Sequence, residues 1–204
     1  MTQSVTNVTA EEVMLNRHSV RNFKPGVEIP ANVEKEIFTL AHSAPSAWNL
    51  QHWRFVVVKD QARKDRLRPL AYGQQQVSDA SLVVLVLGDV EANLTAPAAF
   101  ASAPEAVREN MLNQINGAYA NPGVGHDQAL KNAPLAAMQL MLAAKAKGYD
   151  SVAMGGFDHA AVVKELNVPE RYVPIMMIAI GEAAKEAHAS SRLPLSEIII
   201  NESF

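Results

Sequence analysis

The sequence predicts an α+β fold on three observations. Helical and strand-like segments follow one another without the regular βαβ alternation of a doubly wound sheet. Several strand-like runs are continuously apolar, as interior strands are. One long helical run is apolar on nearly every face, which requires burial on every face. The 204 residues suit a single domain, 1–204, with its own core.

The first helix is signalled by Thr9-Ala10-Glu11-Glu12, a capping box with Val8 and Val13 placed as a hydrophobic staple, and runs to about Asn16. The basic stretch Arg17-His18-Ser19-Val20-Arg21 begins where it ends. If extended, it projects Arg17, Ser19 and Arg21 along one face over roughly 13 Å. If helical, it keeps the two arginines together and turns Ser19 away. Both forms converge two cations, the arrangement a phosphate monoester needs, although a lone Arg-x-Ser-x-Arg also fits a solvated turn.

Pro30 suits the first position of a second helix, whose apolar face is Val33, Ile37, Leu40, Ala41 and Ala44 until Pro45 closes it. A polar loop, Pro45 to His52, then feeds the β-branched strand Trp53 to Val58. Asp60 caps a helix to about Leu67, Gln74 to Gln76 form an amide cluster, and Leu82 to Leu87 reads as an interior strand. Glu91 to Ala103 has no clean period and reads as a mobile cover.

Pro104 opens a helix with the stripe Val107, Met111, Ile115 and Ala118, and Asn121 to Gly125 breaks it. The all-apolar helix spans about Asp127 to Lys147, is stopped by Gly148, and suggests a central helix shared with a second subunit. Tyr149 to Met154 is a short strand and Gly155-Gly156 a passage where backbone can approach a ligand. Asp158 caps a helix to about Leu166, Val173 to Ile180 is a buried strand, and Ile198 to Ile200 a terminal strand that must be paired.

Composition excludes several chemistries. The net charge of −3 offers no basic excess for nucleic acid. Absence of cysteine removes disulfides, thiolate nucleophiles and iron–sulfur sites, so redox chemistry must come from a bound cofactor. The six histidines lie at no metal-ligand spacing, and no metal is expected. Met1 to Ala10 lacks the layout of a secretory leader, and Ala133 to Ala144 falls short of the roughly 20 residues of a membrane span. A cytoplasmic protein without membrane contact is expected. Four separated donor-rich segments, with neither a triad nor a metal cage, fit a large cofactor that brings its own reactivity.

Those four segments resemble the FMN-dependent nitroreductase family. Arg17 to Arg21 resembles its N-terminal flavin motif, and Pro45-Ser46-Ala47-Trp48-Asn49-Leu50-Gln51-His52-Trp53 is similar to its Pro-Ser-x-x-Asn-x-Gln-Pro-Trp loop. Gly155-Gly156-Phe157 resembles the segment before its flavin-edge helix, and Ser191-Arg192-Leu193-Pro194 its C-terminal phosphate turn. The resemblance implies a central, mostly antiparallel sheet surrounded by helices, in a homodimer with FMN at the interface and the C-terminal segment exchanged. It implies FMN as cofactor, NAD(P)H as reductant, and ping-pong hydride transfer through flavin N5 to a small aromatic acceptor, a nitroaromatic or a quinone.

By position, Arg17, His18, Ser19, Ser191 and Arg192 would hold the phosphate and ribityl chain, and Pro45, Ser46 and Asn49 would lie along the ring and ribityl. Gly155 and Gly156 would face N5 through backbone N–H. Arg21 would be the catalytic electrostatic partner at N1 and O2, with Gln76 donating to O2. Three positions depart from the family pattern: His52 replaces a proline, Gln74 to Gln76 stand where some relatives have a lysine, and Ser190 where some have a second cation. A reductive-dehalogenase reading needs a Glu, Tyr, Lys lid, and between Leu94 and Leu130 there is no lysine. A flavin carrier or redox sensor with little turnover would use the same phosphate contacts, and a purely structural helical dimer would leave Arg17 and Arg192 as surface charges.

Overall fold

The computed structural model describes residues 8–204. The elements in chain order are α1 Ala10–Asn16, α2 Ala31–His42, β1 Trp53–Val58, α3 Gln61–Leu70, α4 Gln76–Asp79, β2 Leu82–Asp89, α5 Ala96–Ala99, α6 Glu105–Tyr119, α7 Val124–Ala146, β3 Asp150–Met154, α8 His159–Glu165, β4 Tyr172–Gly181 and α9 Leu195–Ile198. Short 3₁₀ turns occupy Ala47–Asn49 and Ala92–Thr95.

The strands form one antiparallel sheet in the order β1-β2-β4-β3. β2 is buried at all of its positions, because it has a neighbour on each edge and helices on both faces. That is why its sequence is an unbroken apolar run. On one face, α2 and α7 pack Ile37, Ala41, Ala133, Ala137 and Leu140 against Trp53, Val84, Val86, Ile178 and Ile180. On the other, Leu67, Val77 and Val162 of α3, α4 and α8 cover Val83, Leu85, Met177 and Ala179.

Local signals set the helix ends. Thr9 and Glu12 form the reciprocal capping box of α1, and Asp60 and Asp158 accept from backbone N–H groups at the starts of α3 and α8. Gly148, with φ of 85°, supplies the left-handed residue that ends α7. Pro30 and Pro104 stand one residue outside their helices, as N-cap residues. α3 continues through Pro69 to Leu70, and the 91–103 cover is built of two short helical turns. Gly123 is absorbed as the cap of α7, which starts three residues before the expected Asp127. Of the expected stripe of α6 only Ile115 is buried, and Val8 of the expected staple is largely exposed.

Two differences concern assembly. α7 is not buried all round within the chain: Leu130, Leu135 and Met138 are 45, 44 and 42% exposed. The terminal run is no strand; Pro194 caps the single turn α9, and Ile198, Ile199 and Ile200 are exposed. Three apolar residues cannot hold a strand without an edge to pair with, and among the described residues no strand pairs with them. Among the described residues no helix is long and apolar enough to cross a membrane. The leaderless reading of Met1 to Ala10 lies largely outside the described residues.

Candidate active site

α1 ends where Arg17 turns to extended backbone, and the basic stretch stays extended. Ser19 makes a parallel bridge with Ser151 of β3, where the Val20 N–H donates to the Ser151 carbonyl at 3.1 Å. Further on, the Lys24 N–H donates to the Glu182 carbonyl and the Ala184 N–H to the Asn22 carbonyl. Alternation then separates the side chains. His18 and Val20 line a groove of about 720 Å³ with Asn16, Lys145, Asp150 and residues 183–190, while Arg17, Ser19 and Arg21 are not part of its lining. Among the described residues neither Arg17 nor Arg21 has a carboxylate within ion-pair distance. The hydroxyl of Ser151, beside Ser19, is buried without a hydrogen-bond partner.

The loop from Pro45 to His52 is held in a costly shape. Trp48, Asn49 and Gln51 adopt φ of 50°, 54° and 51°. Left-handed backbone at such residues costs on the order of 1–3 kcal/mol each and persists only where the surroundings impose it. Here the Ala47 N–H donates to Asn132 Oδ1 at 2.7 Å, the Gln51 N–H to Ser46 Oγ at 2.9 Å, and Gln51 Nε2 to the Asn49 carbonyl at 2.9 Å. Asn132 is a buried polar residue of α7, an anchor that sequence reasoning missed; its one signal is an amide inside an apolar helix. Pro45 and Asn49 remain exposed.

After β3 comes Gly155-Gly156, with ordinary backbone angles. A Cβ at either would meet nothing nearer than the Tyr72 ring at 3.9 Å. The protein's own packing therefore does not demand glycine here, and the space outside the backbone is open. Gln74 Nε2 donates to the Gly156 carbonyl at 2.8 Å, and Gln76 Nε2 donates to Gln74 Oε1 at 2.9 Å and contacts Met154 Sδ at 3.4 Å. Gln76 is thus brought to the glycine segment, but at 6% exposure its amide N–H groups are used internally. Gln74, not Gln76, is the amide that touches the segment. Ser191 and Arg192 lie exposed just beyond the wall of the groove that His18 lines, and among the described residues Arg192 Nη1 donates only to the Ser191 carbonyl.

The end of the 45–52 loop carries a buried polar cluster. His52 is wholly buried, its Nε2 lies 2.9 Å from Tyr119 Oη, and its Nδ1 has no partner. Burial pushes the His52 imidazole down to about 4 against the pull of Asp89, and burial then Asp89 push the Tyr119 hydroxyl up to about 12. Both groups are neutral at ordinary pH. Asp89, also wholly buried, receives Arg171 through Nε and Nη2 at 2.7 Å each, with Arg54 at 3.5 Å. The hydrogen bond to Asp89 raises the Arg171 guanidinium above its ordinary value. Among the described residues no group of three His, Asp or Glu side chains could hold a metal.

A model of the nitroreductase family matches residues 14–182. The chain belongs to the nitroreductase family. It is an FMN-dependent oxidoreductase with NAD(P)H as reductant. It is 45% identical over 193 residues to the Bacillus subtilis protein YodC, which bears the name of an NAD(P)H nitroreductase, covering 92% of this chain and 96% of that one. It is 34% identical over 201 residues to an enone reductase of CLA biosynthesis from Lactiplantibacillus plantarum, covering 93% of each. The crystal structure of a nitroreductase-family protein from Exiguobacterium sibiricum in complex with FMN superposes with a TM-score of 0.89 at 34% identity, covering 98% of this chain and 99% of that one. The α+β fold with its four-stranded antiparallel sheet is therefore the family's fold.

Proposed function

We propose that this nitroreductase-family protein reduces nitroaromatics or quinones in a ping-pong cycle, as a homodimer with FMN at the subunit interface. The observation that carries this reading is the set of donors left without protein partners among the described residues around β3: the Arg17 and Arg21 guanidiniums, the buried Ser151 hydroxyl and the open Gly155-Gly156 backbone. Such a set fits a ligand with a phosphate at one end and a flat polar ring at the other. Bound FMN supplies the redox chemistry, accepting hydride from NAD(P)H and delivering electrons to the second substrate.

The chain's own residues bind and orient. Arg17 and Ser19 anchor the phosphate, with Arg192 and Ser191 from the tail and His18 on the groove side. Arg21 holds a fixed positive charge toward the pyrimidine end, where charge develops on reduction. Gly155 and Gly156 offer backbone N–H groups at the ring edge, held in place by the Gln76-Gln74-Gly156 amide chain. Gln76 donates to the ring only if it releases Gln74 or Met154. Pro45, Ser46 and Asn49 lie on the strained loop that approaches the ring and ribityl, and no side chain is required as a general base.

Uncovered apolar surface supports the dimer. Leu135 and Met138 on α7 are exposed, as are Leu195, Ile198, Ile199 and Ile200 in the tail. β3 is capped at Ser151 by the Val20 N–H, whereas the outer edge of β1 pairs with no strand among the described residues. The tail of one protomer docks along the partner's β1, beside the groove lined by Phe38, His42, Trp53 and Phe55. Its removal at Pro194 leaves monomers that release FMN, as sedimentation and fluorescence would show.

Stopped-flow absorbance decides the central part. Mixing the yellow holoprotein with NADH or NADPH should bleach the flavin within the enzyme's turnover time, and a nitroaromatic or quinone should restore it. Absence of bleaching with either nucleotide would leave the carrier or sensor reading.

A further inference from the structure

Leu50, Ala92, Ala96 and Ile115 form a small core of their own, apart from both sheet faces, with Trp48 and Met111 packed on it. The segment from Glu91 to Tyr119 thus rests on the 45–52 loop. Ile115 is the one fully buried residue of α6, so most of that helix is held weakly. Two polar contacts add direction. The Thr95 hydroxyl shares its one proton between the Ala92 carbonyl of its own turn at 2.7 Å and the Leu50 carbonyl at 3.0 Å, and His52 Nε2 meets Tyr119 Oη at 2.9 Å.

We propose that the His52–Tyr119 hydrogen bond is a positioning pin that fixes α6 over the loop bearing Ser46 and Asn49 and thereby sets how large an electron acceptor can reach the cofactor. The inference rests on the oxidoreductase reading above. His52 is the last residue before β1, so one end of the pin is fixed to the sheet; Tyr119 is the last residue of α6, so the other end fixes the cover. Apolar contacts are non-directional, whereas a hydrogen bond with one end on the wholly buried His52 adds a direction. Either neutral tautomer can make the bond, Nε2 accepting from the Tyr119 hydroxyl or donating to its oxygen, and burial keeps the imidazole neutral.

The test compares Tyr119→Phe, which removes only the hydroxyl, with His52→Gln, whose amide can still reach Tyr119. In Tyr119→Phe, amide hydrogen exchange across 105–119 should quicken about fivefold, the factor for one hydrogen bond, with α7 and the sheet unchanged. KM for a two-ring quinone should change by a similar factor, with KM for a one-ring quinone, FMN retention and the rate of reduction by NAD(P)H unchanged. His52→Gln should return both readouts toward wild type. Unchanged exchange, or quickened exchange with equal effects on both quinones, would overturn the pin. So would loss of FMN from Tyr119→Phe, because the bond would then serve the loop and not the cover. If wild-type protein binds FMN but is not reduced by NAD(P)H, the oxidoreductase reading fails, while hydrogen exchange still reports whether the bond holds α6.

Discussion

Arg171 and Arg17 make opposite use of the same side chain. Arg171 lies before β4 and closes on both carboxylate oxygens of a wholly buried Asp89, with Arg54 nearby. Arg17 lies after α1 and, like Arg21 four residues on, has no carboxylate within reach among the described residues. A guanidinium matched to a buried carboxylate has its charge neutralised and holds β2 to the start of β4. A guanidinium left without a carboxylate partner is available to an outside anion. On the proposed function, the difference separates arginines that hold the fold from arginines that would hold the cofactor.

The largest effect expected on this comparison is from Asp89→Ala. It leaves Arg171 facing a low-dielectric site without its counter-charge and should cost roughly 3–5 kcal/mol of stability, read from urea unfolding. The fraction that remains folded should bind FMN with wild-type affinity. An equal loss of FMN affinity would break the division. Arg17→Ala should do the reverse, weakening FMN binding by about 2 kcal/mol, or roughly thirtyfold, with unfolding of the apoprotein unchanged. Calorimetry of the two steps checks both halves.

His52 sharpens the comparison through pH. Its folded value of about 4 lies below the ordinary 6.5, so between those limits the unfolded chain binds a proton that the native chain refuses. Its contribution is therefore absent above about pH 6.5 and becomes a penalty as pH falls toward 4. The slope approaches about 1.4 kcal/mol per pH unit, and stability rises with pH. His52→Gln should flatten this limb in urea midpoints measured between pH 4 and about 6.5. A limb that stays as steep would assign it to other groups.

Much of the fold was legible because its signals are local. β-branched runs marked β1, β2 and β4, and capping residues marked α1, α3 and α8. The candidate site also rests on local signals, in Arg17 to Arg21, the 45–52 loop and Gly155-Gly156, and the roles given to these residues are proposals. Pairings across long separations were not legible: Asp89 and Arg171 are 82 residues apart and His52 and Tyr119 are 67, and no periodicity carries that information. Asn132 reads as an incidental polar residue until Ala47 donates to it. The two assembly features, the full burial of α7 and the terminal strand, are properties that a single chain cannot satisfy. In the proposed dimer a second protomer would cover both.

The claim that one extended stretch serves both ends of the cofactor is tested most directly by Arg21→Ala. Its FMN dissociation constant and its rate of flavin reduction by NAD(P)H are measured on the same preparation. Reduction should slow about tenfold, equivalent to about 1.4 kcal/mol of transition-state stabilisation, with the dissociation constant changed by less than about threefold. Loss of FMN with an unchanged reduction rate in the bound fraction would make Arg21 a phosphate ligand and contradict the account.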